Sequence, residues 1–572
     1  MDEFKHVNAM DKKQQIAFDV ICCTFILNCI EEITSSHAAF GDNSTNDTRI
    51  NGTKKVISTV LDGNTKSTLS DLIKDLKRRS GKDQLLMFLS GKGGSGKSFT
   101  IFAAEKYCHR FCQFISLPFE KTSIYLTAMT GSAAALLNGI TLHLATHFES
   151  TKKINDVDRS EWKSVRILVI DECSFCSQQQ LELLDKRLRR LRSQLDKPYG
   201  GINIIFIGDF HQIVPFQGDP LYSKYCLHWH GLINTVVFLQ NDHRFKDDPE
   251  YGRLVERFSN GTATKNDIKL VNSRLLNNGK GNGGIHELPK DDTNDICYAC
   301  AYNAERNSIT TSIFSNYVNE THKMNASDLD LSEIPKDVVI IESAMFDKNG
   351  ERCSANFESK VYNMCGDADV KAGRTKKVDP ALKFYAGVPL MITDNKFIKD
   401  GRGNGTKCIG LKIKMKKDCV VDCKNWDGRL IHTVSSLDVE YMICETIPSN
   451  DGEAPKKFKL KADRDSVKVS IKVANMKHIV NVKMVQFAVN SNKATTGHKL
   501  QGVTLKKMVV RSWNYCTPNW VYVVLSRVRS FKGLFICEKL NEEKTFVVDP
   551  RLLQEEERLK LKEKELLDFL GK

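Results

Sequence analysis

The run Gly91-Lys-Gly-Gly-Ser-Gly96-Lys97-Ser98 carries the residue types that hold a polyphosphate. Glycines at Gly91, Gly93, Gly94 and Gly96, with Ser95 between them, let backbone N–H groups converge on phosphate oxygens. Lys97 suits the β and γ phosphates, and the Ser98 hydroxyl suits magnesium. At average residue usage the pattern arises by chance in about 0.02 of chains of this length. Its setting adds weight. The apolar run Leu85–Leu89 precedes it and the helical stretch Phe99–Cys112 follows, so a helix N-terminus would present its dipole to the anion.

Asp171-Glu172 closes a second apolar run, Val165–Ile170. Two carboxylates at a strand end can divide the labour of phosphoryl hydrolysis, Asp171 on the metal and Glu172 as the base that orients water. Gly208-Asp-Phe-His-Gln212 closes the run Ile202–Ile207 and places Gln212 as a γ-phosphate sensor. Arg244 follows the run Thr235–Leu239, and Arg527 lies in Leu525-Ser-Arg-Val528. An arginine reaching the transferred phosphoryl from another domain stabilises transition-state charge. A single arginine is more often a surface charge; the ordered set carries the reading. Together these residues imply hydrolysis of ATP with Mg2+.

The elements that would hold them follow from periodicity. Leu85–Leu89, Ser123–Thr127, Val165–Ile170 and Ile202–Ile207 alternate with helical stretches, which predicts a parallel sheet covered on both faces. Thr235–Leu239, Asp295–Cys300, Phe487–Val489 and Lys507–Val510 predict a second such sheet. Between them, Leu411-Lys-Ile-Lys-Met-Lys-Lys417, Lys457-Phe-Lys-Leu-Lys461 and Val467-Lys-Val-Ser-Ile-Lys-Val473 alternate apolar and basic residues. Period two gives each strand one buried and one cationic face. The cationic faces read either as a nucleic-acid surface or as a merely solvated one. The expected organisation is a first α/β domain over 1–234 with a flexible Ser/Asn/Gly-rich insertion at about 35–66, and a second over 235–403 and 481–545. A small inserted β-barrel occupies 404–480, and a charged helix closes the chain at 546–572.

Composition bounds the partners. The 572 residues exceed one core, and 41% hydrophobic with 27% charged residues describe a soluble globular protein. The net charge of +14 suits a polyanion, though it also serves solubility. Ile16–Ile30 is short for a membrane span, is interrupted by Asp19, and reads as a buried helix; no secretory leader is expected. The 18 cysteines fit reduced thiols in an intracellular compartment. Cys297/Cys300 and Cys419/Cys423 lack the second pair a zinc site needs. His228-Trp-His230 resembles the paired histidines of nickases, but no tyrosine nucleophile is framed beside it.

Taken in order, the phosphate loop, Thr130-Gly-Ser-Ala-Ala134, Asp171-Glu172, Gly208–Gln212, Arg244, His498-Lys-Leu-Gln-Gly502 and Leu525–Val528 resemble the motifs of superfamily-one helicases. Within that superfamily the likeness is to the Pif (petite integration frequency) helicases, relatives of RecD and of Helitron helicase domains. Leu183-Leu-Asp-Lys-Arg-Leu-Arg189, Lys197-Pro-Tyr-Gly-Gly-Ile202, Gly139-Ile-Thr-Leu-His143 and Asn404-Gly-Thr406 carry it, over most of residues 5–540. The resemblance implies two tandem RecA-like P-loop domains with ATP between them and an SH3-like inserted barrel. It also implies 5′-to-3′ movement on single-stranded DNA with unwinding of tailed duplexes, by a monomeric motor that could pair on DNA. Repair, recombination or telomere maintenance, in the nucleus or the mitochondrion, would be the setting. Gln14, in Met10-Asp-Lys-Lys-Gln14, matches the adenine-reading glutamine; Thr496, His498 and Lys499 match DNA-facing or coupling positions. Leu500 where the family has Ser, His211-Gln-Ile-Val-Pro215, and the lone Gly139 depart from the pattern and bear on DNA grip rather than on hydrolysis. Three alternatives stay open: an RNA translocase, the helicase portion of a Helitron-type transposase, and a nucleotide-gated binding switch that does not unwind.

Overall fold

Six short runs, most of them apolar and buried on both faces, build the first sheet. They are β1 (Leu86–Gly91), β2 (Ile124–Ala128), β3 (Ile140–Thr141), β4 (Ile167–Asp171), β5 (Asn203–Gly208) and β6 (Thr235–Leu239). In the computed structural model their order is β3-β2-β4-β5-β1-β6 and every pairing is parallel. Near-continuous runs such as Ile-Leu-Val-Ile in β4 and Asn-Ile-Ile-Phe-Ile in β5 are what a sheet covered on both faces demands. The structure describes residues 2–39, 84–149, 154–215, 217–240, 243–276, 296–321, 338–364, 378–394, 402–403, 405–426, 428–447, 454–473, 476–500, 502–513 and 519–571.

One face of this sheet packs on the helices Lys12–Ala39 and Lys97–Phe114, with Phe18, Phe25, Ile101 and Cys108 buried against Met87, Ile205 and Val237. The stretch Lys12–Ile30 is apolar and long enough to cross a membrane, but it is mostly buried in this core. That agrees with reading Ile16–Ile30 as a core helix. The first residues of the expected flexible insertion, 35–39, belong to this helix, which runs to Ala39; the rest of that stretch, within residues 40–83, lies outside the described ones. The opposite face holds Trp229, stacked edge-on to Phe88, Phe206 and Phe210. His228-Trp-His230 is thus built around a core tryptophan, with His228 beside Asp185 and His230 beside Glu555.

Two compact units divide the chain, residues 1–262 with 545–572 and residues 263–544. The boundary expected after residue 234 is therefore corrected. Thr235–Leu239 pairs with β1 (Phe88 with Val236), so it closes the first sheet instead of opening the second. A buried apolar strand carries no mark of which sheet it joins. The C-terminal helix, Pro550–Phe569, also belongs to the first unit: Leu552, Leu559 and Leu566, seven residues apart, enter its two cores.

The second unit holds a parallel sheet of order β20-β7-β21-β22, from β7 (Ile296–Cys300), β20 (Ala494–Thr496), β21 (Lys507–Val510) and β22 (Leu534–Ile536). The rest of its strands form three further sheets. These are β8 (Val339–Glu342), β9 (Ala344–Phe346), β10 (Ala381–Phe384), β11 (Val388–Ile392), β12 (Lys407–Met415), β13 (Val421–Trp426), β14 (Arg429–Ser435), β15 (Val439–Thr446), β16 (Lys457–Leu460), β17 (Asp463–Val473), β18 (Met476–Gln486) and β19 (Val489–Ser491). The inserted region is not confined to 404–480. β12 pairs with β11, β14 with β8 and β18 with β9, so the β-rich part runs from Val339 to Ser491. Phe487–Val489 is corrected with it: β19 pairs with β11 and not with the parallel sheet. The alternation read in the sequence holds in the first two segments, with Ile413 buried between exposed Lys412 and Lys414 and Leu460 buried beside exposed Lys459; the side chains of Val467–Val473 lie outside the described ones.

Candidate nucleotide site

Four loops at the carboxyl ends of β1, β4, β5 and β6 converge in the first unit, the place where open parallel sheets bind ligands. The loop after β1 turns at Gly94 and Gly96, both in left-handed conformation (φ 98° and 87°), and Gly96 caps the helix that starts at Lys97. A side chain at Gly96 would also collide with Gln14, whose Nε2 fills the space that a Cβ there would need. The left-handed φ is what favours glycine here, and a side chain would in addition push the Gln14 amide aside.

Gln14 reaches the loop because a reciprocal cap fixes it. Its backbone N–H donates to Asp11 Oδ1 (2.9 Å), and its Oε1 accepts from the Asp11 N–H (3.1 Å). Nε2 then donates to the Ser95 carbonyl (3.2 Å). On the other side the His243 N–H donates to the Gly94 carbonyl (3.1 Å), and the Arg244 guanidinium lies 2.7 Å from an ideal Cβ on Gly93. Arg244 therefore sits against the phosphate loop of its own unit. That corrects its placement in a second domain, for the same reason that β6 was misplaced.

Lys97 Nζ donates to the carbonyls of Gly91 and Lys92. Burial pushes its pKa down, with Arg244 acting the same way, while Asp209, Glu172 and Asp171 oppose them; the net shift is downward. Asp171 shows the converse. Burial raises its pKa, and the Glu172 N–H and Lys97 counter it only in part. Those mutual fields place Lys97, Asp171, Glu172, Asp209 and Arg244 in one electrostatic cluster.

Glu172 is buried and adopts φ 52°, ψ 42°, a left-handed conformation unusual for a residue with a side chain. Such a backbone costs on the order of 1–3 kcal/mol and persists where its surroundings impose it. Here the Asp171 carboxylate accepts the Glu172 N–H (2.8 Å) and the Phe175 N–H returns to the Glu172 carbonyl (3.0 Å). After β5, Asp209 organises its own loop. It accepts the His211 N–H at Oδ1 (3.0 Å) and Gln212 Nε2 at Oδ2 (3.4 Å), and its carbonyl accepts the Gln212 N–H (3.1 Å). Sequence reasoning passed over Asp209, although an acid directly after a core strand is the same signal that singled out Asp171.

Ser98 and Asp171 offer a hydroxyl and a carboxylate, the oxygen donors that suit a hard cation such as magnesium. Outside the first unit, Thr496 ends β20 beside Cys300, and His498 and Lys499 lie in the short helix Gly497–Leu500 with side chains outside the described ones. Arg527 follows the helix Trp520–Leu525. Its guanidinium donates to the carbonyls of Val523 and Leu500 and to Ser526 Oγ. Among the described residues no group of three or more His, Cys, Asp or Glu is placed to hold a metal. The Cys297 and Cys300 thiols are pushed up by burial, to about 11 and about 12.

Asp185 explains why two separated segments accompany each other. In the helix Gln178–Leu191, it accepts the Tyr199 N–H, Arg189 Nε and His228 Nε2. The Tyr199 bond holds Lys197-Pro-Tyr-Gly-Gly in three consecutive left-handed residues, at φ 50°, 63° and 76°.

The chain resembles known proteins in sequence and in fold. The PIF1-like helicase family model matches residues 61–236. The ATP-dependent DNA helicase Pif1 of Psychrobacter sp. is 23% identical over 80% of this chain and 66% of its own length. The ATP-dependent DNA helicase RRM3 of Saccharomyces cerevisiae is 30% identical over 29% of this chain and 25% of its own. The chain thus spans under two thirds of the yeast relative and 66% of the bacterial one. In fold it superposes on the Pif1 helicase of Candida albicans with a TM-score of 0.56 at 18% identity, covering 89% of this chain and 99% of that one. Pif1 helicase from Bacteroides, solved with ADP-AlF3 and single-stranded DNA, gives 0.55 at 19% identity, covering 85% and 96%. The resemblance read from the motif order therefore holds in sequence and in fold: with two RecA-like sheets, the chain is similar to the PIF1-like helicases.

Proposed function

We propose that this protein is an ATP-dependent DNA helicase that moves 5′-to-3′ on single-stranded DNA and unwinds tailed duplexes. The observation that carries the reading is the convergence of Lys97, Asp171, Glu172, Asp209 and Arg244 at the phosphate loop, with Gln14 against Gly96. Pure nucleotide binding needs a loop and a lysine. A buried carboxylate held in a left-handed turn beside that lysine adds a hydrolytic base.

On this reading phosphate oxygens replace the Gly91 and Lys92 carbonyls as acceptors for Lys97, and the incoming negative charge restores the ammonium that burial disfavours. Gln14 offers its amide to the adenine edge. Ser98 and Asp171 would hold magnesium, which supplies charge neutralisation across the β and γ phosphates. Glu172 accepts the proton of the attacking water, Gln212 reports the γ-phosphate to its loop, and Arg244 and Arg527 supply positive charge for the transferred phosphoryl. Thr496, His498 and Lys499 are the proposed DNA-contacting or coupling positions. DNA repair, recombination or telomere maintenance is the proposed setting. One protein of related fold was solved as two coordinating Pif1 helicases unwinding forked double-stranded DNA, which supports a motor that pairs on forks. Nucleus or mitochondrion would be its place.

Strand displacement on 5′-tailed and 3′-tailed duplexes tests the reading. ATP-dependent separation of the 5′-tailed substrate alone is expected. Separation of the 3′-tailed substrate alone would reverse the polarity, and separation of neither would favour the nucleotide-gated switch.

A further inference from the structure

The C-terminal helix does more than cover hydrophobic surface. Between its buried leucines it carries acidic residues that reach segments lining the nucleotide site. Glu556 Oε1 lies 2.6 Å from His211 Nε2, and the other ring nitrogen, Nδ1, lies 2.9 Å from the Ser259 carbonyl. Both partners are acceptors, so the ring satisfies both contacts only as an imidazolium donating twice. Further along the helix, Glu563 Oε1 accepts the Phe238 N–H (2.7 Å) and pairs with Lys13 Nζ (2.7 Å). Phe238 lies on the edge strand that leads to Arg244, and Lys13 immediately precedes Gln14.

The link at His211 points furthest. Its backbone N–H donates to Asp209 Oδ1, and the same Asp209 binds Gln212 through its side chain and its carbonyl. Asp209 in turn acts electrostatically on Lys97. We propose that Glu556 and His211 form a positioning pair, contributed in part by the C-terminal helix, that fixes the loop carrying Asp209 and Gln212 for hydrolysis. The pair touches neither nucleotide nor water; it acts through Asp209 and Gln212. This rests on the nucleotide-hydrolysing reading above and extends the site to an element that carries no sequence motif.

The groups facing the ring support the assignment. Burial by itself would hold the His211 pKa down, but the Glu556 carboxylate, Asp209 and the Ser259 carbonyl outweigh it and the net shift is upward. Burial would raise Glu556, yet His211 and the neighbouring Lys560 lower it overall. In the folded protein the ion pair is thus whole between the lowered carboxylate value and the raised histidine value. It is lost as pH rises through the latter.

The test uses the full chain with Glu556→Gln, His211→Gln, the double variant, and Glu557→Gln as an exposed control on the same helix. At neutral pH, kcat for ATP hydrolysis should fall about tenfold in either single variant, the worth of one charged hydrogen bond, with KM for ATP held within about twofold. The double variant should be no worse than the singles. The fall of wild-type kcat at alkaline pH should move to lower pH in Glu556→Gln and vanish in His211→Gln. Two readouts do not need turnover: NMR titration of the His211 ring and hydrogen exchange at the Gln212 amide. Glu556→Gln should lower the first and speed the second. If it lowers the melting temperature but leaves the pH profile and the Gln212 exchange unchanged, the helix only packs and the proposal is overturned. If wild type hydrolyses no ATP, the hydrolytic reading fails, and the positioning pair is then judged on the ring titration and amide exchange alone.

Discussion

The proposed tasks of Lys97 and Glu172 differ, and their variants should separate those tasks. Lys97→Ala removes the charge that the loop is built to present, so nucleotide affinity should fall by an order of magnitude or more. Glu172→Gln keeps shape and hydrogen bonding but accepts no proton, so nucleotide affinity should hold while turnover drops about 10²–10⁴-fold. Equilibrium nucleotide binding and steady-state hydrolysis on the two purified variants check this. Normal turnover in Glu172→Gln would remove Glu172 as the base. Gly96→Ala should resemble Lys97→Ala, because it strains a left-handed residue and drives Gln14 off the loop. Most of these residues were legible in the sequence, since glycine spacing and acids at strand ends have physical causes that survive without coordinates. His211 was not. It appeared as a departure from the family pattern, and its partner Glu556 lies 345 residues away.

At the scale of elements, most of the parallel sheet of the first unit was legible because its runs, though short, are apolar and regularly interrupted by helices. What periodicity cannot say is which neighbour a strand chooses. Thr235–Leu239 and Val388–Ile392 look alike as apolar runs, yet one completes a parallel sheet and the other pairs antiparallel with β12. The C-terminal helix read as charged and amphipathic, and nothing in its own residues named the face it covers. Where alternation is strict the reading was finer: Lys412 and Lys414 are exposed on β12 and Lys457 and Lys459 on the nearby β16, with Ile413 and Leu460 buried. If this cationic face grips DNA, Lys412→Gln, Lys414→Gln and Lys416→Gln together should weaken single-strand binding and flatten its salt dependence. Three lost charges at roughly 0.7 each correspond to a change of up to about 2 in the slope of log K against log salt. An unchanged slope would show that the face is only solvated.

For the whole molecule, the residues proposed for hydrolysis and those proposed for DNA contact fall mainly in different compact units, with Lys97, Asp171, Glu172, Gln212 and Arg244 in one and Thr496, His498, Lys499 and Arg527 in the other. A motor must connect the two, because each base-pair step it opens costs about 1.4 kcal/mol of stacking and long duplexes therefore need repeated turnover. A nucleotide-gated switch has no such need. The most direct measurement is the steady-state rate of ATP hydrolysis by the wild-type chain, with and without single-stranded DNA, beside Glu172→Gln. DNA is expected to raise the wild-type rate by at least an order of magnitude, as gating by a conformational step would, while Glu172→Gln stays near background in both. Equal wild-type turnover with and without DNA would contradict a DNA motor.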